Sequence, residues 1–503
     1  KGRRMHNKIE VILGPPGTGK TENLLRIVDW ELKNGTPPDR IAFVSFTKKA
    51  AQEAIDRAKI KFNLTDDDFP YFSTLHAFGK RNTGMSKSEV MSKADMKEFS
   101  KNYGIDLTTS YNADYGAVLT DNKFMNDINK SKMQDLELQD FYNNNYFDYS
   151  WRELLLVYQS YEEYKQEKGK FDFNDMLIQF VNFGHTPKLD VVIVDEAQDL
   201  SKLQWRMCRK IWENSERVYI SGDDDQAIFR WMGADVDELI NMEGNVTVLK
   251  QSYRCPQLVH NMAGDIVKRI RNRRPKEWKA REEKGFVQYH EHAGYVDMDE
   301  GNWLALATCG YMLDELQVDL RNLGLAYTID DKFPVSENLL KAVNAWKKLL
   351  DSDLITHEEV MAIYSNLKVG VGVERGYKGG KTLDENQKYN VEELSMHHGL
   401  LNVDRSWDET FKEVMGDEDR YYLQALDVTG QLDTKPRINL STIHKSKGGE
   451  CDNVILVTDL SRANQDEMEV DSDDTNRVFY VGVTRAKQSL HIINPQKERG
   501  FIL

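Results

Sequence analysis

The segment Glu10-Val11-Ile12-Leu13-Gly14-Pro15-Pro16-Gly17-Thr18-Gly19-Lys20-Thr21 constrains the fold of this chain more than any other. From Gly14 it matches the pattern G-x-x-x-x-G-K-[ST] in full. Apolar residues precede the loop, and a helical pattern follows it in Leu24, Leu25, Ile27 and Val28. A strand feeding a glycine loop and then a helix is an α/β unit. Its loop curls backbone N–H groups around a phosphate, and its helix points a positive N-terminus at the same anion. On this reading Gly14, Pro15, Gly17, Thr18 and Gly19 form the cradle. Lys20 reaches the β- and γ-phosphates of a nucleoside triphosphate, and the Thr21 hydroxyl holds Mg²⁺.

A second strand carries the acidic partner that such a loop needs. Val191-Val192-Ile193-Val194 is a run of β-branched residues, as expected of a buried parallel strand. It ends in Asp195-Glu196-Ala197-Gln198-Asp199, at the carboxyl end where open α/β sheets place their ligands. Asp195 is expected to share the Mg²⁺ with Thr21, Glu196 to orient or deprotonate the attacking water, and Asp199 to cap the next helix.

At 503 residues the chain has room for several domains, and 40% hydrophobic with 30% charged residues suits a soluble globular protein. No run approaches the ~20 apolar residues of a membrane span, and no secretory apolar stretch precedes the loop, so no cleaved signal is expected. Lys1-Gly2-Arg3-Arg4 reads as a remnant of expression ahead of a natural start at Met5. Cys208, Cys255, Cys309 and Cys451 are scattered, which predicts reduced thiols rather than a disulfide framework or a zinc site. The net charge of −15 taken alone argues against nucleic-acid binding, but it is a weak guide when the binding surface is a narrow cleft. Acidic residues cluster at Asp66-Asp67-Asp68 and from Asp466 to Asp474, and nine Lys or Arg fall between Lys268 and Lys284. That basic run reads equally as a solvated face or as a binding surface.

Further segments complete a series: Ile41 to Phe46 as a buried strand followed by Thr47-Lys48-Lys49-Ala50-Ala51, then Phe72-Ser73-Thr74-Leu75-His76, Gly222-Asp223-Asp224-Asp225-Gln226-Ala227-Ile228-Phe229-Arg230-Trp231, Gln251-Ser252-Tyr253-Arg254, Ser441-Thr442-Ile443-His444-Lys445-Ser446-Lys447-Gly448-Gly449-Glu450 and Tyr480-Val481-Gly482-Val483-Thr484-Arg485-Ala486. In order and wording the series resembles the superfamily 1 DNA helicases of the UvrD/Rep type. The chain is similar to a small member of that family, and a virus-encoded source fits it.

The resemblance implies an α/β fold of two RecA-like P-loop motor domains with parallel sheets, each carrying a mostly helical insertion. The first motor domain would take residues 1–80 and 171–248, with an insertion at 81–170. The second would take 249–332 and 431–503, with a reduced accessory insertion at 333–430. ATP would sit between the motor domains, and its hydrolysis would drive 3′-to-5′ travel on single-stranded DNA and unwinding of duplex. The alternative is a DNA-stimulated translocase that displaces bound proteins and unwinds little. Lys20, Thr21, Asp195, Glu196, Gln226, Arg254 and Arg485 would be catalytic: Gln226 senses the γ-phosphate and the attacking water, and the two arginines neutralise the transferring phosphoryl group. Tyr253 would stack on the base and Glu450 would contact the ribose. Phe46, Thr47, His76, Phe229, Trp231, Thr442 and His444 match positions that contact DNA, where aromatic faces stack on bases without reading them. A cytoplasmic monomer is implied. It would act on single strands and single-strand/duplex junctions beside single-strand-binding or replication proteins. Two departures stand out: the first glutamine is Gln52, so the adenine-reading glutamine ahead of the loop is missing, and Asp474-Thr475-Asn476-Arg477 replaces the usual acidic pair and double arginine.

Overall fold

A computed structural model of the chain describes residues 8–46, 48–63, 65–107, 109–112, 117–496 and 498–503. Two compact units form, Lys1–Lys284 with Glu467–Thr484 and Gly285–Asp466 with Arg485–Leu503.

In the first unit the strands are β1 (Lys8–Leu13), β2 (Ile41–Ser45), β3 (Phe72–Thr74), the pair β4 (Thr109–Asn112) and β5 (Ala117–Thr120), then β6 (Val191–Asp195), β7 (Arg217–Gly222) and β8 (Asn245–Val248). Six of them make a sheet in the order β3-β2-β6-β7-β1-β8, parallel at every pairing. Parallel strands covered on both faces become continuous apolar runs, and all five residues of β2 and of β6 are buried. Helix α1 (Lys20–Lys33) starts directly from the loop after β1 and buries Leu24, Leu25 and Val28 against Ile12, Phe43 and Ile193. Expected and observed strands agree within a residue or two. The cap does not: Ser201, not Asp199, caps the helix Lys202–Trp212. Ser201 and Gln204 exchange hydrogen bonds in a capping box (2.8 and 3.3 Å), which needs the three-residue spacing that Asp199 lacks.

Residues 81–170 fold as helices around the β4–β5 hairpin, with a core drawn from residues 91–164 alone, including Phe99, Ile128, Leu154 and Tyr161. At its root, two lysines meet three carboxylates. Lys132 Nζ lies 2.9–3.0 Å from Glu162, Asp172 and Asp175, and Lys165, 3% exposed, contacts the same three.

The second unit holds β9 (Phe286–His290), β10 (Trp303–Ala307), β11 (Tyr327–Ile329), the short pair β12 (Ile355–Thr356) and β13 (Lys388–Tyr389), β14 (Ile438–Thr442), β15 (Cys451–Val457) and β16 (Ala486–Ile493). Its six-stranded sheet runs β11-β14-β10-β15-β16-β9, again parallel throughout. Residues 333–430 do not build a core of their own. Trp346, Tyr364, Tyr389, Trp407 and Tyr422 share one apolar cluster with Ala305, Leu320, Tyr327 and Ile455 of the sheet layer.

Candidate nucleotide site

The loop after β1 has the shape its glycines predict. Gly17 and Gly19 hold φ of +70° and +77°, the left-handed region where side chains are costly. A Cβ on Gly14 would come within 2.0 Å of Lys20 Cγ, so that glycine lets the lysine fold back across the loop. Lys20 Nζ donates to the Gly14 carbonyl (3.0 Å) and stands 3.8 Å from Glu196 Oε1. The loop and the acidic strand, 176 positions apart in the chain, therefore meet at these two side chains. Loop 14–19 also takes contacts from residues 252–254. Tyr253 N–H donates to Gly17 O and Ser252 Oγ to Pro16 O, both at 2.8 Å. A Cβ on Gly17 would meet Arg254 Cβ at 2.3 Å.

Asp195 closes β6, 1% exposed, and Glu196 follows with φ +52°. A non-glycine residue in that region is strained, and in this conformation Glu196 Oε1 stands 3.8 Å from Lys20 Nζ. Gln198 bridges onward: its Nε2 donates to Glu196 Oε2 and its Oε1 accepts from the Asp223 N–H at 3.0 Å. Gln226 Nε2 in turn donates to Asp223 Oδ2 at 2.7 Å. Glu196 and Gln226 are thus joined through Gln198 and Asp223, two residues that the sequence reading passed over. The only available sign was the pairing of a glutamine with a run of three aspartates.

Part of the basic run is solvated, with the Lys268 and Arg271 side chains exposed, but other members turn inward. Arg273 grips Asp225 with two bonds of 2.7 Å, and Lys276 is 1% exposed among Asp223, Asp224 and Asp225. Arg271 pairs with Asp471, while the N–H groups of Arg271 and Asn272 donate to Asp473. Arg477, fully buried, donates to the carbonyls of Asp224 and Asn272 and pairs with Asp474. Buried charge is tolerated only when paired, and these opposite runs satisfy one another inside the first unit.

The donor set fits a Mg²⁺-triphosphate: a cradle of small residues at a helix N-terminus, one lysine, a threonine hydroxyl and a carboxylate pair. Tyr253 is 73% exposed, and Arg254 Nη1 reaches the Thr484 carbonyl at 3.4 Å. Arg485 and Glu450 belong to the second unit. There Arg485 is buried and donates to Gly449 O at 2.8 Å, and Glu450 lies 3.7 Å from Lys487 Nζ.

The expected DNA contacts separate by exposure. Phe46 and Phe229 are buried with ring centroids 5.8 Å apart, whereas Trp231 is 49% exposed. His76 and Trp231 line one cavity of about 480 Å³ that also receives Tyr161 and several methionines. Burial holds the His76 imidazole neutral, its pKa lowered to about 4 against the opposing pull of Asp172. Thr442 and His444 lie at the end of β14 in the second unit, where Thr442 Oγ1 accepts from Lys445 N–H at 3.3 Å. Thr47 lies outside the described residues.

Comparison with known proteins gives two family matches, a UvrD/REP helicase N-terminal domain at residues 3–247 and a UvrD-like helicase C-terminal domain at residues 438–493. The chain is 23% identical over 441 residues to the ATP-dependent DNA helicase PcrA of Staphylococcus epidermidis, covering 78% of this chain and 58% of that protein. It is 25% identical over 321 residues to PcrA of Bacillus subtilis, covering 59% and 42%. The aligned part thus amounts to about half the length of these relatives. A solved structure described as "The structure of PRRSV helicase" aligns over 97% of this chain and 53% of that one at 11% identity and TM-score 0.35, a likeness too loose to bear on function.

Proposed function

The chain belongs to the UvrD/REP helicase family, and from that premise we propose that it is an ATP-dependent DNA helicase, travelling 3′-to-5′ on single-stranded DNA and separating duplex at junctions. The observation that carries this reading is the approach of Lys20 to Glu196 across 3.8 Å, with Glu196 linked to Gln226 through Gln198 and Asp223. It brings phosphate ligand, proton acceptor and water-orienting amide into one connected set.

In this proposal Thr21 and Asp195 would hold a Mg²⁺ ion, which would supply positive charge to offset that of the triphosphate. Loop N–H groups and Lys20 grip the phosphates. Glu196 takes a proton from the attacking water while Gln226 orients it. Arg254 and Arg485 are assigned the arginine-finger role, Tyr253 the base stack and Glu450 the ribose. Trp231 is the aromatic best placed to stack on a nucleotide base. The motor and insertion boundaries expected from sequence are proposed unchanged, as is monomeric action in the cytoplasm. Among the described residues no helix is long and apolar enough to cross a membrane.

ATPase and unwinding measured side by side on duplexes with 3′ or 5′ single-stranded tails test the reading. Unwinding of the 3′-tailed substrate only is expected. Glu196→Gln should keep ATP binding and lose turnover by about 10²-fold or more; near-normal hydrolysis in that variant would remove Glu196 from its role.

A further inference from the structure

The three consecutive aspartates before Gln226 are among the least accessible charges in the molecule: Asp223 and Asp224 are fully buried and Asp225 nearly so. Three carboxylates cannot stay ionised there without cations. Two are supplied. Arg273 takes Asp225 in a bidentate pair. Lys276 takes all three, with Nζ 3.2 Å from Asp223, 2.5 Å from Asp224 and 2.9 Å from Asp225. It also lies 3.2 Å from the Arg274 carbonyl. An ammonium has three donor hydrogens, so these four acceptors use every one. Lys276 is therefore not placed to bind phosphate or DNA itself, and any effect it has on chemistry passes through what it holds.

What it holds is the Asp223 carboxylate. One oxygen, Oδ1, lies against Lys276 and accepts from the Asp225 N–H. The other, Oδ2, accepts from Gln226 Nε2 at 2.7 Å. The main chain of the same residue donates to Gln198 Oε1 at 3.0 Å, and Gln198 donates to Glu196. We infer that Lys276 is a positioning residue for ATP hydrolysis: by fixing Asp223 it sets the rotamer of Gln226 and, through Gln198, the carboxylate of Glu196. The inference rests on the hydrolytic reading of Gln226 and Glu196 given above. It adds a residue 50 positions from Gln226 that the motif series leaves unassigned.

Lys20, the phosphate-gripping residue nearest this relay, stands 3.8 Å from Glu196 and is anchored separately on the Gly14 carbonyl at 3.0 Å. Removing Lys276 should therefore cut turnover and leave nucleotide affinity alone, a split that loss of folding would not produce. Two variants test this. Lys276→Met leaves three buried aspartates against one arginine. Lys276→Met with Asp224→Asn returns the cluster to its original net charge while Asp223 stays unclamped. ATP binding, steady-state ATPase and thermal unfolding are measured for both beside the parent chain. The expected result is a kcat at least about tenfold down in both, with ATP affinity within about threefold of the parent and the parent's melting temperature recovered in the double variant. A folded double variant that hydrolyses ATP within about twofold of the parent overturns the inference, because charge balance alone would then suffice. Loss of ATP affinity in step with turnover, or failure of both variants to fold, overturns it in favour of a purely structural role. A parent chain with no ATPase sinks the hydrolytic reading itself, which separates that failure from failure of the Lys276 inference.

Discussion

Residues 81–170 and 333–430 occupy comparable places in the chain but are built on opposite plans. The first gathers its apolar side chains inward, so that Phe99, Leu154 and Tyr161 belong to a core drawn from their own segment. It meets the rest of its unit through the bridge Val90–Phe171 and the Lys132/Lys165 ion cluster, and through the methionine-lined cavity shared with Leu177 and Trp231. The second turns its apolar faces onto the neighbouring sheet, and its tryptophans and tyrosines complete that sheet's core. A segment with its own core can shift as a body while exposing comparatively little apolar surface. A segment with a shared core cannot move without opening the hydrophobic layer beneath it.

The largest expected effect comes from excision. Deleting residues 335–428 should prevent the second unit from folding, seen as loss of its cooperative transition. Deleting residues 92–168 with a short linker should leave the first unit able to bind nucleotide. A chain lacking 335–428 that still melts cooperatively in both units would break the comparison. Single core truncations sharpen it. Trp346→Ala and Phe99→Ala should each cost about 3–5 kcal/mol, but Trp346→Ala should lower the transition of the whole second unit. Phe99→Ala should lower only an early transition and spare nucleotide affinity. Both are read by calorimetry with and without ATP. A smaller loss, roughly 3 kcal/mol at the low end for a broken buried pair, is expected for Lys165→Met, since Lys132 remains on the same carboxylates. It too should appear only in the early transition.

Acidification should have the mildest effect and the same sign in both units. Burial lowers His76 to about 4 in the first unit. In the second, burial and the neighbouring His290 bring His491 to about 4. Each folded histidine binds its proton less readily than the unfolded one, so stability falls as pH drops from about 6.5 toward 4. Asp172 adds to this only at lower pH. Lys132 and Lys165 hold its carboxyl below the usual range, so its contribution is present above about 3.9 and fades beneath it. His491→Gln should flatten the melting temperature of the second unit between pH 7 and 4.5 and leave the first unit's slope intact.

Much of this was legible in the chain itself. The strand–loop–helix at Gly14–Thr21 and the β-branched strand ending at Asp195 require local pattern only. The buried strand expected at Ile41 to Phe46 likewise formed as β2, Ile41–Ser45. What stayed hidden depends on partners far along the chain. Helical periodicity in Leu339, Val343, Trp346 and Leu349 shows which face is apolar, not whether it meets its own segment or a sheet. The basic run near 273 reads equally as a solvated face or a binding surface when taken alone, and its pairing with the acidic runs near 223 and 473 decides which of its residues turn inward. Phe229 and Trp231 lie two residues apart with similar propensities, yet one is buried and the other half exposed. That difference comes from a short 3₁₀ turn, Arg230–Met232.

Gly17 gives the phosphate loop a second attachment. Because it lacks a side chain, the backbone at 252–254 can press against the loop and bond to it from Tyr253 and Ser252. The loop and the Arg254 segment are thereby coupled as a lever is to its pin, and a tug on one is transmitted to the other without passing through any ligand. An alanine at position 17 would bring its Cβ to 2.3 Å from Arg254 Cβ and unseat that pin.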